Sequence, residues 1–341
     1  MMLRLAESGY LPDRVLRVGM RRLLKKRLGE EYRKGDPEVS KMLLLEQLQQ
    51  GPMATDQDAA NCQHYEVPAA FYRLLLGPRL KYSSAYWPEG VTDLATAEEA
   101  MLTLTCQRAQ VEDGQSLLDL GCGWGSLSLW MAANYPRCHV TALSNSVSQK
   151  AYIDRCAAKL GLSNLRVLTG DVATFDVTMH FDRILSVEMF EHLRNHRLLM
   201  EKIAHWLAVD GKLFVHHFCH KDLFYRFEDE QKDDWMARHF FTGGVMPSFD
   251  LLERCQSSLV QEAVWSVNGS HYSRTLESWL CQLDTHCDKA IAILDKTYGK
   301  GEQLIWLQRW RMFLMASAEL FNYRNGEEWY VGHYRFTRST G

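Results

Sequence analysis

The sequence predicts an α/β protein built on a doubly wound, mostly parallel sheet. Between residues 115 and 218, short apolar runs alternate with segments of helical periodicity, a pattern typical of strands joined by crossover helices. A turn with three alternating glycines, GCGWG at residues 121–125, follows the first apolar run. With 341 residues, the chain is long enough to bury a sizeable core around such a sheet.

The N-terminal part is predicted to contain a basic amphipathic helix. Residues 14–28 hold seven arginines and lysines and no acid, and their leucines recur at helical spacing. Such a helix either docks on the protein body with a solvated basic face, which we favour, or makes peripheral contact with an anionic membrane. Residues 48–61 are polar and turn-rich, which is typical of a linker.

The elements of the core follow in chain order from residue 116. Apolar runs predict strands, and the periodic segments between them predict helices. After residue 218 two late strands are expected, with helical sequence between them. The predicted strands are 116–121, 138–143, 165–171, 181–187, 212–218, 260–267 and 328–336, and the predicted core helices lie near 125–134, 147–160 and 196–208.

Composition excludes several classes of protein. The net charge of −3 argues against a nucleic-acid binder, and 46% hydrophobic with 24% charged residues is typical of a globular chain. No apolar run approaches the roughly 20 residues of a membrane span, and no secretory signal is evident. The nine cysteines form no C-x-x-C pair, so neither disulfides nor a metal site is predicted. We expect a soluble, cytoplasmic protein, and the sequence leaves open whether it forms a homodimer.

The glycine turn indicates the kind of ligand. Alternating glycines let the backbone turn tightly and approach a bound molecule. A dinucleotide site would have G-x-G-x-x-G and an acid after the second strand, whereas this chain has G-x-G-x-G and ends that strand with Ser144 and Asn145. Asp119, two residues before the turn, offers a carboxylate to a cationic amino-acid group. A zwitterionic nucleoside therefore fits better than a diphosphate.

This combination resembles the class I S-adenosylmethionine-dependent methyltransferases. The resemblance implies S-adenosylmethionine as cofactor, S-adenosylhomocysteine as product, and a Rossmann-like, seven-stranded, mostly parallel sheet with an N-terminal helical extension and a helical insertion after the fifth strand. Asp171, after the third strand, would hold the adenine amino group; a turn cap is the alternative. The expected domains are a helical extension (1–55), a helical cap over the cofactor (56–114), the cofactor-binding core (115–218), and a substrate-binding insertion with the final strands (219–341).

Three segments before the core narrow the resemblance. HYEVP at 64–68, FYRLLLG at 71–77 and KYSSAYW at 81–87 resemble the cyclopropane fatty acid and mycolic acid synthase superfamily, in which the Tyr-Ser pair covers the methionine end of the cofactor. The expected cofactor-binding residues are Tyr82, Ser83, Asp119, Gly121, Gly123, Ser144, Asn145, Gln149, Asp171, Val172 and Val187.

One branch of this superfamily acts on lipids and holds a bicarbonate ion. The resemblance places the ligands of that ion at Ser84, Glu191, His216, Phe218 (through its backbone) and Phe313. Ser84 replaces a family cysteine and Phe313 a family tyrosine, and phenylalanine cannot donate a hydrogen bond. The loss of one buried donor weakens anion binding by about 2 kcal/mol. Cyclopropanation or C-methylation of unsaturated fatty-acyl phospholipids is therefore the alternative function.

The closer resemblance is to the plant coclaurine-type (benzylisoquinoline) N-methyltransferases. It rests on QHYEVP at 63–68, EEAML at 98–102, SNSVSQK at 144–150 and NGEEWY at 325–330, and it implies N-methylation of a small-molecule, alkaloid-like amine. The residues expected to bind the acceptor are Ser84, His216, Phe313, Trp329 and Tyr330. His216 departs from the plant pattern, which has Glu.

The predicted catalytic residues are Glu188, Glu191 and His192, which line the amine pocket in that branch. His192, oriented by Glu188, can take the proton of an ammonium group, and Glu191 can stabilise the positive charge that develops on nitrogen. Trp235, Trp329 and Tyr330 are candidates for π-face contact with the cation; for each aromatic the alternative is core packing.

Overall fold

The computed structural model describes residues 2–54, 67–228 and 234–338. The described residues before the sheet form five helices: α1 (Met2–Glu7), α2 (Asp13–Arg33), α3 (Pro37–Gln49), α4 (Ala69–Leu75) and α5 (Leu94–Ala109). The predicted linker begins where α3 ends, but its residues 55–61 lie outside the described part of the chain. Residues 63–66 of the first motif, including His64, lie outside it as well.

The strands confirm the predicted seven-stranded, mostly parallel sheet. They are β1 (Ser116–Leu120), β2 (His139–Ser144), β3 (Leu165–Thr169), β4 (Phe181–Val187), β5 (Leu207–His220), β6 (Tyr225–Arg226), β7 (Val245–Met246), β8 (Leu259–Val267) and β9 (Trp329–Arg338). The main sheet has the order β3-β2-β1-β4-β5-β9-β8, and β6 pairs with β7 separately. Strands β1 to β5 are parallel, and β9 runs antiparallel between β5 and β8.

Three crossover helices connect the parallel strands, close to their predicted bounds: α6 (Ser126–Asn134), α7 (Val147–Leu160) and α8 (His196–Trp206). Local chemistry sets the ends of α7. The Ser146 side chain accepts a hydrogen bond from the Gln149 backbone N–H at the start of the helix, and Gly161 ends it with a φ of 68°. An N-cap serine and a left-handed glycine are the residues that these two positions favour.

The insertion after the fifth strand is short. Apart from residues 229–233, which are not described, it contains two small helices, α9 (Trp235–Phe240) and α10 (Leu251–Arg254), together with the β6–β7 pair. Three longer helices lie between the sixth and seventh strands of the sheet, where helical sequence is predicted: α11 (Gly269–Thr285), α12 (Cys287–Tyr298) and α13 (Gln303–Phe321). The larger helical layer thus follows β8.

The basic helix α2 is docked on this helical layer. Leu16 and Leu28 are buried against it. Arg17 pairs with Glu277 of α11 at 2.6 Å and with Glu319 of α13 at 3.2 Å. The docked arrangement is therefore present, while contact with a membrane stays a prediction. Within the described ranges, none of the helices combines the length and hydropathy needed to cross a bilayer.

Candidate active site

A cavity of about 380 Å³ lies at the carboxyl ends of β1 and β4. In parallel α/β sheets, ligands bind at this edge, where neighbouring connections run to opposite faces. Residues that follow β1 and β4 form one side of the cavity, and α2, α11 and α13 cover the other. A single space therefore joins predicted cofactor residues such as Asp119 and Gly123 to the predicted catalytic residues and to Phe313.

The glycine turn forms the floor of the cofactor end. Gly121 has a φ of 81°, and a Cβ atom there would lie 2.6 Å from Cγ of Met189, so no larger residue fits. Gly123 has a φ of 52°, and a Cβ atom there would meet no atom within 4 Å. Because Gly123 lines the cavity, that open space is available to a ligand.

Polar side chains beside the turn fit a zwitterionic nucleoside. Asp119 is buried and accepts a hydrogen bond from Oγ of Ser128, and burial raises its pKa to about 6. The buried Oγ of Ser126, which the sequence did not single out, lines the cavity and has no hydrogen-bond partner among the described residues. Gln149 also lines the cavity, and its Oε1 accepts from Oγ of Ser144 at 2.6 Å. An acid and an unused hydroxyl thus face the space above the turn.

Tyr82 and Ser83 line the cavity on a loop, and the preceding residue, Lys81, stabilises the conformation of that loop. Nζ of Lys81 donates to Oγ of Ser83 at 2.5 Å and to the carbonyl of Ser84 at 2.7 Å, and burial lowers the pKa of Lys81 to about 8. Its position directly before the predicted Tyr-Ser pair was the only sequence signal for Lys81. This lysine therefore positions the residues expected over the cofactor.

A buried carboxylate supports the start of the same loop. Glu98 accepts the backbone N–H groups of Gly77 and Arg79 at 3.1 and 2.9 Å. A Cβ atom on Gly77 would lie 2.5 Å from Oε2 of Glu98. The glycine that ends the FYRLLLG segment is thus required by the close approach of Glu98.

Four predicted cofactor residues lie outside the described wall of the cavity: Ser144, Asn145, Asp171 and Val172. Oδ1 of Asp171 accepts the backbone N–H of Ala173 at 2.9 Å, which is the turn-capping role weighed as the alternative. Val172 packs against the part of the core that includes Leu199 and Ile203 of α8. Val187, in contrast, lines the cavity.

Glu188 is held at the centre of the cavity by three donors. Its Oε1 accepts the backbone N–H of Ser84 at 3.0 Å and Nε2 of His216 at 3.2 Å, and its Oε2 accepts the hydroxyl of Tyr272 at 2.5 Å. Glu188 has a φ of 48°, a left-handed conformation that is costly for a side-chain-bearing residue and common at functional sites. Burial raises the pKa of Glu188 to about 7, while Lys81 opposes that shift. Tyr272 carried no distinguishing sequence signal.

Glu191 and His192 lie on a short 3-10 turn, Phe190–His192, directly after β4. Glu191 is fully buried and lines the cavity, yet neither carboxyl oxygen has a hydrogen-bond partner among the described residues. Burial and the neighbouring Glu188 raise the pKa of Glu191 well above its usual range. His192 lines the cavity and stacks on Phe241, with ring centroids 5.7 Å apart. The three predicted catalytic residues are thus brought together.

Aromatic side chains line the acceptor end of the cavity. Phe313 and Trp235, both singled out from the sequence, lie on its wall, as do Phe218 and Phe241. Phe313 stacks on Phe240 behind it, with ring centroids 4.4 Å apart. The rings form a rigid, largely apolar pocket next to the two glutamates.

Trp329 and Tyr330 are placed away from the described wall of the cavity. Trp329 is fully buried, and its Nε1 donates to the hydroxyl of Tyr225 at 3.3 Å. Tyr330 packs on Phe249, with ring centroids 5.4 Å apart. Trp329 follows the core-packing alternative, whereas Tyr330 is half-buried on the opposite side of the sheet, because successive residues of β9 point to opposite sides.

The donors expected to hold bicarbonate are used by the protein itself. Oγ of Ser84 donates to the carbonyl of Ala85 at 3.1 Å. His216 uses Nε2 for Glu188 and Nδ1 for His333, the latter at 2.9 Å. Phe313 has no donor. Glu191 and Phe218, the other two expected ligands, line the cavity, but with three of the five positions used or lacking a donor the set does not fit a bicarbonate ion. Ser84 and His216 support Glu188 and lie outside the described cavity wall.

Comparison with known proteins places the chain in a family. Residues 53–329 match the family described as mycolic acid cyclopropane synthetase. (S)-coclaurine N-methyltransferase of Papaver somniferum is 38% identical over 99% of this chain and 97% of its own length. Pavine N-methyltransferase of Thalictrum flavum subsp. glaucum is 36% identical over 97% and 95%.

A solved structure extends the likeness to three dimensions. The crystal structure of coclaurine N-methyltransferase bound to N-methylheliamine and S-adenosylhomocysteine is 38% identical, with a TM-score of 0.95 over 99% of both chains. The glycine turn, the buried acid and the cavity at the strand ends agree with the class I methyltransferase fold. The chain therefore belongs to the coclaurine N-methyltransferase group of the mycolic acid cyclopropane synthetase family, a branch of the S-adenosylmethionine-dependent methyltransferases.

Proposed function

We propose that this enzyme methylates the nitrogen of a small, largely apolar amine of the alkaloid type. The observation that carries the proposal is Glu191, a fully buried carboxyl group on the cavity wall with no hydrogen-bond partner in the described ranges. A buried polar group without a partner costs free energy unless a ligand satisfies it. A cationic amine satisfies a carboxylate, and the relatives named above are N-methyltransferases.

The pocket beside Glu191 suits a cation carried on an aromatic framework. Phe218, Phe241, Phe313 and Trp235 present ring surfaces to the cavity. Small-molecule sites are typically apolar with a few convergent polar groups, and ring faces attract cations. The rings would hold the body of the acceptor while the glutamates hold its nitrogen.

Glu188 and Glu191 differ in protonation state because their surroundings differ. Glu188 accepts three hydrogen bonds and faces the charge of Lys81, which favours its ionised form. The carboxyl group of Glu191 has no hydrogen bond from another residue in the described ranges, and it faces the charge of Glu188. In such a coupled pair the proton resides on the less stabilised carboxyl. We therefore expect Glu191 to hold a proton in the free enzyme and to lose it to solvent water when an ammonium group binds beside it.

Methyl transfer requires a free nitrogen lone pair. S-adenosylmethionine, when bound over the glycine turn near Asp119, supplies a methyl group that an aligned nucleophile can displace. His192, next to Glu191 on the same turn, is the candidate base for the ammonium proton. Ionised Glu191 then stabilises the positive charge that forms on nitrogen.

A lipid acceptor is the second candidate, and the mouth of the cavity favours it. Leu23 and Lys26 of α2 line the cavity and are exposed, so an apolar and a basic side chain border the entrance, where Lys26 also pairs with Glu30 at 3.8 Å. Such a surface suits an anionic bilayer. The hydrogen bonds already made by Ser84 and His216 count against the bicarbonate-dependent form of that chemistry.

One experiment separates the two acceptors. The enzyme would be incubated with labelled S-adenosylmethionine and either benzylisoquinoline-type secondary amines or vesicles of unsaturated anionic phospholipid, each with and without bicarbonate. N-methylated amine that forms without added bicarbonate, and that is strongly reduced in Glu191→Gln, supports the proposal. Label found only in the lipid fraction would overturn it.

A further inference from the structure

A row of side chains crosses the sheet from Glu188 toward helix α5. His216 on β5 lies directly opposite His333 on β9, and their ring centroids are 4.7 Å apart. Both histidines are fully buried. Arg108, at the end of α5, reaches the far side of His333. The row therefore joins the cavity to a guanidinium group outside it.

The hydrogen bonds along this row can run in one direction only. NH1 of Arg108 lies 2.8 Å from Nδ1 of His333, and arginine can only donate. His333 then carries its proton on Nε2 and donates to Nδ1 of His216 at 2.9 Å. His216 in turn carries its proton on Nε2, which lies 3.2 Å from Oε1 of Glu188.

We propose that Arg108, His333 and His216 form a directional hydrogen-bond relay that holds Glu188 as an oriented, charged carboxylate. The three are positioning residues, because they act through Glu188 and do not line the described cavity wall. The relay cannot carry a proton away from Glu188, since its outer end has no acceptor. Its effect on turnover rests on the proposed amine methylation.

The surroundings keep both imidazoles in the single-proton form that the relay needs. Burial lowers the pKa of His216 and of His333 well below the usual range, and Lys81 and Arg108 act in the same direction. The charged and titratable groups that face the histidine pair are Lys81, Arg108, Glu188 and His217, and those that face Glu188 are Lys81, Glu191, His216 and Tyr272.

Replacement of Arg108 should allow the donor and acceptor roles along the relay to reverse. Without that donor, His333 can move its proton to Nδ1, and His216 can then present an unprotonated Nε2 to Glu188. An acceptor facing the carboxyl group favours protonation of Glu188. The proton would then be shared differently between Glu188 and Glu191.

Nitrogen-15 NMR of the histidine side chains tests the relay in the whole enzyme without turnover. His216 and His333 should both be neutral and protonated on Nε2 between pH 6 and 8 in the wild type. In Arg108→Met, His333 should shift toward the Nδ1 form. Nδ1 protonation or an imidazolium at either residue of the wild type would overturn the relay, whether or not the enzyme methylates amines.

The pH dependence of kcat/KM for the amine tests the effect of the relay on the protonation of Glu188. Arg108→Met should lose on the order of tenfold at pH 7, the worth of one hydrogen bond to a charged group, and should raise the midpoint of the acidic limb by about one pH unit. Arg108→Lys should recover most of this loss because it still donates. Arg309→Met is the matched control, since Arg309 lies 4.9 Å over the Trp306 ring, as Arg108 lies 4.9 Å over the Trp265 ring, and donates to Glu7 rather than to a member of the relay. An unshifted limb in Arg108→Met, or an equal shift in Arg309→Met, would overturn the proposal.

Discussion

Replacement of Glu191 by glutamine should weaken catalysis and stabilise the free enzyme at the same time. Glutamine keeps the shape of this fully buried side chain but cannot carry a negative charge. A hydrogen bond to a charged group is worth about 1.5–3 kcal/mol. We therefore expect kcat/KM for the amine to fall by roughly 10- to 150-fold, with cofactor affinity unchanged because Glu191 acts on the acceptor.

The effect on stability follows from proton linkage. The pKa of Glu191 is raised well above the value of 4.5 that we take for the unfolded chain. The folded state then holds more protons, so the contribution of Glu191 to the unfolding free energy is highest below pH 4.5 and is lost as the pH rises through the folded pKa. Glutamine removes this loss. The stability of Glu191→Gln relative to wild type should grow by about 1.4 kcal/mol per pH unit from pH 5 up to the folded pKa of Glu191, and stay constant above it.

Thermal unfolding of the ligand-free proteins measures that difference. For a chain of 341 residues, 1.4 kcal/mol corresponds to about 2 °C in Tm. Exposed Glu201 provides the control substitution, Glu201→Gln, which should leave both kcat/KM and the pH trend of Tm unchanged. A constant Tm gap between pH 5 and pH 8, together with kcat/KM within threefold of wild type, would refute the assignment of Glu191 as the partner of the amine.

Three further perturbations test other parts of the site. Gly123→Val should abolish S-adenosylhomocysteine binding in calorimetry, because the valine side chain enters the cavity. The control Gly161→Val, at another position with left-handed backbone and open space, should still bind. Unchanged affinity in Gly123→Val would contradict the cofactor site. His192→Ala should reduce the rate by roughly 10²- to 10⁴-fold at neutral pH and less at higher pH, where the amine sheds its proton unaided; a pH-independent loss would argue against a base. Removal of residues 1–30 should lower Tm and raise KM for the amine, since α2 is buried against α13 and lines the cavity. Salt-sensitive sedimentation with vesicles that is seen only with the full chain would instead indicate that this segment binds membranes.

The core could be predicted from the sequence because its signals are local. Apolar runs set the strands, and a cap at Ser146 with a stop at Gly161 gave α7 the bounds that were predicted. The glycine turn after β1 could be located for the same reason, since its residues are adjacent in the chain and their chemistry is read directly. The resemblance to known methyltransferases then brought Glu188, Glu191 and His192 into one site.

The environment of these residues was decided only by the tertiary structure. Tyr272 reaches Glu188 across 84 positions of the chain, and Arg108 reaches His333 across 225. Local periodicity carries no information about such contacts, which depend on how β9, α5 and α11 pack around β4 and β5. The same packing placed Trp329 and Tyr330 away from the cavity and occupied both ring nitrogens of His216. Residue type therefore identified which groups could do chemistry, while burial and long-range hydrogen bonds determined which of them face the ligand.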